Sequence, residues 1–249
     1  MGAQIARGTK LTTEIASSSS NAVGLNKSHV DSVPFQFAEI RKHLSVPLLC
    51  DALDGSGYSA QSPRLPIGPV TVQSGLLFGI AKTMLWADMA HIDPEPYKLE
   101  LAAIDSCEPN DVIVCAAGGS MRSGIWGELL SIVAHHRGCA GAIVDGAVRD
   151  VAKMTELEFC VYARGKCPYD SKNRQRVIDF DVTVELDGVQ VHPGDLIAAD
   201  IDGIVVIPKA IAKSVIEAAW DKVRAENKVR DAVSAGVSGT EAFQRYGVL

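Results

Sequence analysis

Gly138-Cys139-Ala140-Gly141-Ala142-Ile143-Val144-Asp145-Gly146-Ala147-Val148-Arg149-Asp150 is an apolar run that breaks at Asp145-Gly146 and then presents a cation and a carboxylate side by side. Small and β-branched residues bounded by glycine read as a buried strand over residues 140–144, and ligands of open α/β sheets gather beyond the carboxyl ends of such strands. Arg149 can clamp a carboxylate through two parallel N–H bonds, and Asp150 offers oxygen to a hard cation such as Mg2+ or Mn2+. A structural reading competes: the pair is a surface ion pair opening the next helix, with Asp150 as its N-cap.

Upstream, residues 70–72, 76–83 and 111–115 are similar strand-like runs bounded by Gly, Pro, Asn or Asp, and helical stretches are expected at about 96–106, 125–137 and 150–157. A first helix is predicted over residues 35–43. Ser45-Val46-Pro47 reads as an N-cap with proline in the first turn of a second helix through Leu53, ended by Gly55 and Gly57. Alternating strands and helices predict an α/β class with a largely buried sheet. The later segments 182–186, 189–191, 196–199 and 203–207 are closely spaced and should pair antiparallel. Asp187-Gly188 is a hairpin turn, His192-Pro193-Gly194-Asp195 a structural turn, and Asp195 and Asp202 the turn-setting carboxylates. From Pro208 the chain reads as helix, with Ile211, Val215, Ala218, Ala219 and Val223 on one face. Residues 1–32, with Ser17-Ser18-Ser19-Ser20, read as a loose arm, and 33–249 as a single domain with C-terminal helices.

The chain has 249 residues, 47% of them hydrophobic, enough for one sizeable core. Its 24 Lys and Arg stand against 30 Asp and Glu, and neither sign forms a block that would track nucleic acid. Six cysteines without a C-x-x-C read as reduced core thiols of a cytoplasmic protein, and no segment approaches a bilayer-spanning length, so neither nucleic acid nor membrane is an expected partner.

Gly118-Gly119-Ser120-Met121-Arg122-Ser123-Gly124 leads into Ile125-Trp126-Gly127-Glu128-Leu129-Leu130. A helix beginning there would offer unpaired amides to an anion; the stretch lacks both the Walker Lys-Ser/Thr ending and G-x-G-x-x-G spacing, which argues against a nucleotide. His135-His136 cannot chelate one ion from adjacent helical positions. Trp126 either walls a pocket or fills the core. Lys153 and Lys166 read as solvated groups rather than Schiff-base lysines.

G-x-W-G-E-L-L, followed by G-x-x-G-x-x-x-D-G-x-x-R-D, Tyr162-Ala163-Arg164-Gly165 and Val191-His192-Pro193-Gly194-Asp195, resembles the 4-hydroxy-4-methyl-2-oxoglutarate aldolase family, whose fold is shared with the regulator of ribonuclease activity A. The similarity runs in order over about residues 45–210. It implies a swivelling β/β/α domain, RraA-like, with central mixed sheets flanked by helices. It also implies a homo-oligomer, trimer or dimer of trimers, with sites between subunits, and lyase chemistry on pyruvate-containing 2-oxo acids that depends on a divalent metal, Mg2+ or Mn2+. Carried over, the substrate-carboxylate cradle falls on the amides of Gly127, Glu128, Leu129 and Leu130, and the substrate arginine on Arg149. Asp150 falls at the direct metal ligand, and Glu128 helps hold a water on that metal. Asp51 resembles, more loosely, an acidic position associated with the neighbouring subunit's site.

The expected reaction is retro-aldol cleavage of a 4-hydroxy-2-oxo acid to pyruvate, with oxaloacetate decarboxylation beside it. Two alternatives stay open: a lyase or decarboxylase for another 2-oxo acid such as a sugar acid, and a non-catalytic binding protein like the ribonuclease regulators. The segment from Trp86 to Tyr97 departs from the commoner family pattern and is expected to shape specificity.

Overall fold

The apolar runs become the middle of one mixed sheet. The computed structural model describes residues 36–64, 66–71 and 75–247. The arm over residues 1–32, the start of the first predicted helix at Phe35 and Val72 of the predicted 70–72 strand lie outside them. In chain order the elements are α1 (Phe37–His43), α2 (Val46–Gly55), β1 (Gly68–Pro69), β2 (Leu77–Asp88), α3 (Lys98–Asp105), β3 (Asp111–Ala116), β4 (Gly124–Trp126), α4 (Glu128–His136) and β5 (Gly141–Val148). They continue with α5 (Val151–Glu156), β6 (Val161–Lys166), β7 (Gln175–Phe180), β8 (Val184–Leu186), β9 (Val189–Val191), β10 (Leu196–Asp200), β11 (Gly203–Ile207), α6 (Ala212–Ser234) and α7 (Gly239–Tyr246).

β2, β3, β5 and β6 are successive parallel neighbours. β1 closes on β6, and β10 then β11 extend the other side, all antiparallel. β4 pairs parallel with the end of β5, and β7 antiparallel with the outer half of β2. Every residue of β3 and β5 is buried, as strands covered on both faces require. One face carries Ile113 and Val144 against Ile104 of α3, Ala134 of α4 and Met154 of α5. On the opposite face Val112, Val114 and Ile143 meet Leu186 and Val191 of the β8–β9 hairpin. A third cluster seats Leu49 and Leu53 of α2 and Val215 and Ala219 of α6 on Val205 and Ile207. A mixed sheet with a small second β layer and flanking helices is the α/β, β/β/α arrangement expected.

Local chemistry explains most element ends. Asp187 and Gly188 have φ of 46° and 80°, the left-handed pair of a two-residue hairpin. Asp195 sets its turn by accepting from the His192 amide at 2.8 Å and the Lys209 amide at 2.9 Å. At the next turn the carboxylate is Asp200, not Asp202. Asp200 Oδ1 accepts from the Asp202 amide, because an Asx turn is closed by the residue two positions earlier. Ser45 takes the N-cap position of α2 but makes no side-chain cap; Asp200 Oδ2 accepts from the Val46 amide at 2.8 Å instead.

The predicted helix over 125–137 begins only at Glu128. Trp126 O accepts from the Arg149 amide at 2.9 Å, which ties residues 124–126 to β5 as a short strand. β2 runs five residues past the predicted end at Thr83, through Asp88. No helix of the described residues is long and apolar enough to cross a membrane.

Candidate active site

The expected break at Asp145-Gly146 is instead a shift of register against β6, so β5 continues to Val148 and only the next two residues turn sharply. Asp150 is left-handed, with φ 56° and ψ 32°, a conformation that Asp tolerates better than most side chains. It occupies the N-cap position of α5, as the structural reading required, yet its carboxylate caps nothing there. Instead Asp150 Oδ2 lies 3.4 Å from the Glu128 amide and 3.7 Å from Arg149 Nε. Those contacts bring the carboxylate and guanidinium to the first turn of α4. The amides of Glu128, Leu129 and Leu130 stand ahead of the first intrahelical bond, that of the Ser131 amide to Gly127 O; the Glu128 amide makes its long bond to Asp150, and those of Leu129 and Leu130, with the helix dipole, face whatever binds there.

Two glycines make this approach possible. A Cβ on Gly127 would lie 2.7 Å from Asp150 Oδ2 and 3.1 Å from Arg149 Cγ; one on Gly124 would lie 2.9 Å from Arg149 Cβ. The Arg149 side chain therefore runs along a track over β4 that any larger residue would block. It ends on Asp170, with Nη2 3.1 Å from Oδ2, and the Tyr97 hydroxyl donates to the other Asp170 oxygen at 3.0 Å. Burial works against Asp170 ionisation, but the Lys172 amide, Tyr97 and Arg149 outweigh it and hold the carboxyl below the usual range. Burial and the bond to Asp170 push the Tyr97 hydroxyl up to about 12. With both partners of the Arg149–Asp170 pair about one-third exposed, the contact orients the guanidinium more than it stabilises the fold.

These residues line one cleft of about 450 Å3. Gly127, Glu128, Leu129, Leu130, Arg149 and Asp150, all singled out in the sequence, are on its wall. Asp51 is not: it pairs with Lys222 between α2 and α6. The Gly118-Gly119 turn also lies off the wall, packing Gly119 against the Arg164 guanidinium, which is paired with buried Asp145. Trp126 is fully buried, donating Nε1 to Ser131 Oγ at 2.8 Å and stacking on Phe159, so its ring fills core while the residue also borders the cleft. His135 and His136 are exposed, as is Lys166, and Lys153 pairs with Glu156. Buried Lys82, which the sequence did not single out, is taken up by Asp181 at 2.6 Å away from the cleft.

Three ionisable wall residues escaped the sequence reading: Asp170, Tyr97 as a hydrogen-bonding group, and Glu100. Glu100 had a readable signal. With Ala103 and Ile104 it forms the buried stripe of α3, an acid at i where i+3 and i+4 are apolar.

Residues 46–206 match the family model described as RraA-like: Aldolase/RraA. The chain belongs to the RraA-like family. It is 32% identical over 198 residues to an uncharacterized protein of Methanocaldococcus jannaschii, covering 79% of this chain and 88% of that one. A relative from Cupriavidus taiwanensis, named as a candidate 4-hydroxy-4-methyl-2-oxoglutarate aldolase, is 34% identical over 160 residues, 64% of this chain and 92% of that one. Among solved structures, Streptomyces coelicolor RraAS2, described as an unusual member of the RNase ES inhibitor RraA protein family, has a TM-score of 0.67 at 28% identity, over 78% of this chain and 94% of that one. The RraA-like match runs from α2 into β11, so the whole cleft wall lies inside it, while α1, α6 and α7 lie outside.

Among the described residues of this RraA-like chain, no group of three or more His, Cys, Asp or Glu side chains could hold a metal by itself. Asp150 and Glu128 on one wall are a hard-oxygen donor set of the size that suits Mg2+ or Mn2+, ions that keep water and take further oxygens from a bound ligand. Two carboxylates on one wall leave room for a cation that takes its remaining oxygens from elsewhere and do not fit a closed structural metal site.

Glu100 gives this RraA-like fold a pH signature. Burial, then repulsion from Asp170, pushes its carboxyl from 4.5 up to about 8, with Arg149 opposing. Between those values the folded protein keeps a proton that the unfolded chain has released. Its contribution to stability is therefore complete below about pH 4.5 and is lost as pH rises to about 8. Glu100→Gln removes this titration, so the melting temperature of the variant should gain on the wild type between pH 5 and pH 8.5; a gap that stays constant would show an ordinary carboxyl.

Proposed function

We propose that this protein is a divalent-cation-dependent lyase that cleaves a 4-hydroxy-2-oxo acid, resembling 4-hydroxy-4-methyl-2-oxoglutarate, to pyruvate and a second carbonyl compound. Oxaloacetate decarboxylation is a second activity through the same pyruvate enolate. The supporting observation is the meeting of the Arg149 guanidinium, the Asp150 carboxylate and the first amides of α4 in one cleft.

The substrate carboxylate would sit on the Glu128, Leu129 and Leu130 amides, where the helix dipole adds to the hydrogen bonds. Asp150, with Glu128 on the same wall, would hold Mg2+ or Mn2+, which would supply Lewis acidity to the bound 2-oxo acid. Arg149, held by Asp170, would face the oxygen on which negative charge grows as the C3–C4 bond breaks, where a preoriented cation acts without reorganising. Leu101 and Leu129 leave apolar surface exposed on the cleft wall, where a neighbouring copy in a trimer or dimer of trimers would complete the site. Six free cysteines suit a reducing cytoplasm.

Gly127 provides a sharp local check. Its φ of −162° suits alanine, so the added methyl acts through its 2.7 Å approach to Asp150 Oδ2. Gly127→Ala should lower kcat/KM by about 100-fold, the scale of a misplaced catalytic group, with a melting temperature close to wild type.

Steady-state assays of 4-hydroxy-4-methyl-2-oxoglutarate, oxaloacetate and a sugar-derived 2-oxo acid, each with Mg2+, with Mn2+ and with chelator, test the reading as a whole. Cleavage that requires the cation is expected. Cleavage untouched by chelator would overturn the cation's role, and no turnover of any 2-oxo acid would overturn the lyase.

A further inference from the structure

Retro-aldol cleavage leaves an enolate whose C3 carbon must gain a proton to become the methyl group of pyruvate, and few groups on the cleft wall can deliver it. Arg149 is a guanidinium, too weak an acid for the task. The Tyr97 hydroxyl is committed to Asp170, and Asp170 is held ionised. Asp150 and Glu128 are assigned to the cation.

Glu100 stands apart from all of these. It is 6% exposed, yet it lines the cleft, and among the described residues no hydrogen bond or ion pair satisfies its carboxyl. The charges that act on it are Asp170 and Arg149, the pair that orients the substrate-facing guanidinium. A buried carboxyl without a partner is costly, and an apolar residue on the Ala103–Ile104 stripe would have avoided that cost. Its place on the lining leaves this unpartnered carboxyl available to a ligand in the cleft.

We propose that Glu100 is the general acid that protonates C3 of the pyruvate enolate; this rests on the lyase reading above. The enolate π electrons take the Glu100 proton, a C3–H bond forms, the C2–O bond becomes a carbonyl, and Glu100 is left as a carboxylate. Solvent returns the proton as pyruvate departs. Run backwards, the Glu100 carboxylate removes a methyl proton from bound pyruvate. Burial suits both directions, because it holds the acid neutral up to about pH 8 and so keeps its proton available near neutrality.

The test is deuterium entry into the methyl group of pyruvate, followed by proton NMR in D2O with Mg2+ and the full chain, beside CO2 release from oxaloacetate. Wild type should exchange its methyl protons, faster as pH rises through about 8, where the carboxylate form takes over. Glu100→Gln, which matches the neutral acid in shape, should slow exchange by about 100-fold or more and lose that rise, in line with the usual scale of general acid–base catalysis. CO2 release should fall by less than about tenfold, because breaking that C–C bond needs no proton from Glu100. Glu100→Asp should restore part of the exchange and its pH dependence. Wild-type exchange in Glu100→Gln would overturn the assignment, as would an equal loss of exchange and CO2 release, which marks a structural role. Failure of the wild type in both assays would instead remove the lyase reading, and this assignment with it.

Discussion

Replacing Arg149 with alanine is expected to lower kcat/KM for 2-oxo acid cleavage by about 1000-fold, the loss seen when a preoriented charge at a developing oxyanion is deleted. The guanidinium is aimed before substrate arrives: Asp170 holds Nη2 at 3.1 Å, the Tyr97 hydroxyl fixes Asp170, and Gly124 and Gly127 leave room for the side chain over β4. Lysine cannot reproduce a two-pronged planar donor, so Arg149→Lys should recover little of the loss. Because the side chain is about one-third exposed and its ion pair contributes little to stability, both variants should melt close to wild type. Steady-state kinetics alongside thermal melts separate these effects. Full activity in Arg149→Ala would remove the central cation from the proposed chemistry.

Asp150→Asn should be nearly as damaging, at about 1000-fold, or ~4 kcal/mol of transition-state stabilisation. Asparagine tolerates the left-handed backbone at position 150, φ 56°, so the turn should survive while the anionic oxygen is lost. The Mg2+ concentration needed for half-maximal activity should rise steeply in this variant, whereas an effect on the turn alone would leave the Mg2+ titration unchanged. Mg2+ titrations of wild type and variant at matched enzyme concentration distinguish the two.

Much of the fold was legible because its centre is built from uninterrupted apolar strands. β3 is buried along its whole length and reads directly from the sequence, β5 was legible only as far as Val144 because Asp145-Gly146 hides its continuation, and the Asp187-Gly188 hairpin and the proline-led start of α2 follow from backbone preferences. The difficult stretches are those where tertiary partners rescue polar residues. β2 continues past Lys82 and Thr83 because Asp181 takes the ammonium and the Val182 carbonyl takes the hydroxyl, contacts about 99 positions away in sequence. β6 ends in Arg164, Gly165 and Lys166, and β7 carries Arg176 and Asp179, so neither shows the apolar pattern that announces a strand.

The candidate site divides in the same way. Arg149, Asp150 and the Gly127–Leu130 helix start lie in two compact motifs, and those motifs converge on one wall. Asp170 and Tyr97 act through Arg149 from segments 73 positions apart, a coupling that local spacing does not encode. Glu100 was the recoverable omission, since an acid on the inward stripe of an amphipathic helix conflicts with its neighbours and such conflicts gather at functional sites.

A crystal structure of the protein with pyruvate and Mg2+ tests the central claim most directly. The account predicts the pyruvate carboxylate on the Glu128–Leu130 amides, the 2-oxo oxygen facing Arg149, and the cation bound through Asp150. Pyruvate bound elsewhere, or a cation that ignores Asp150, would contradict it.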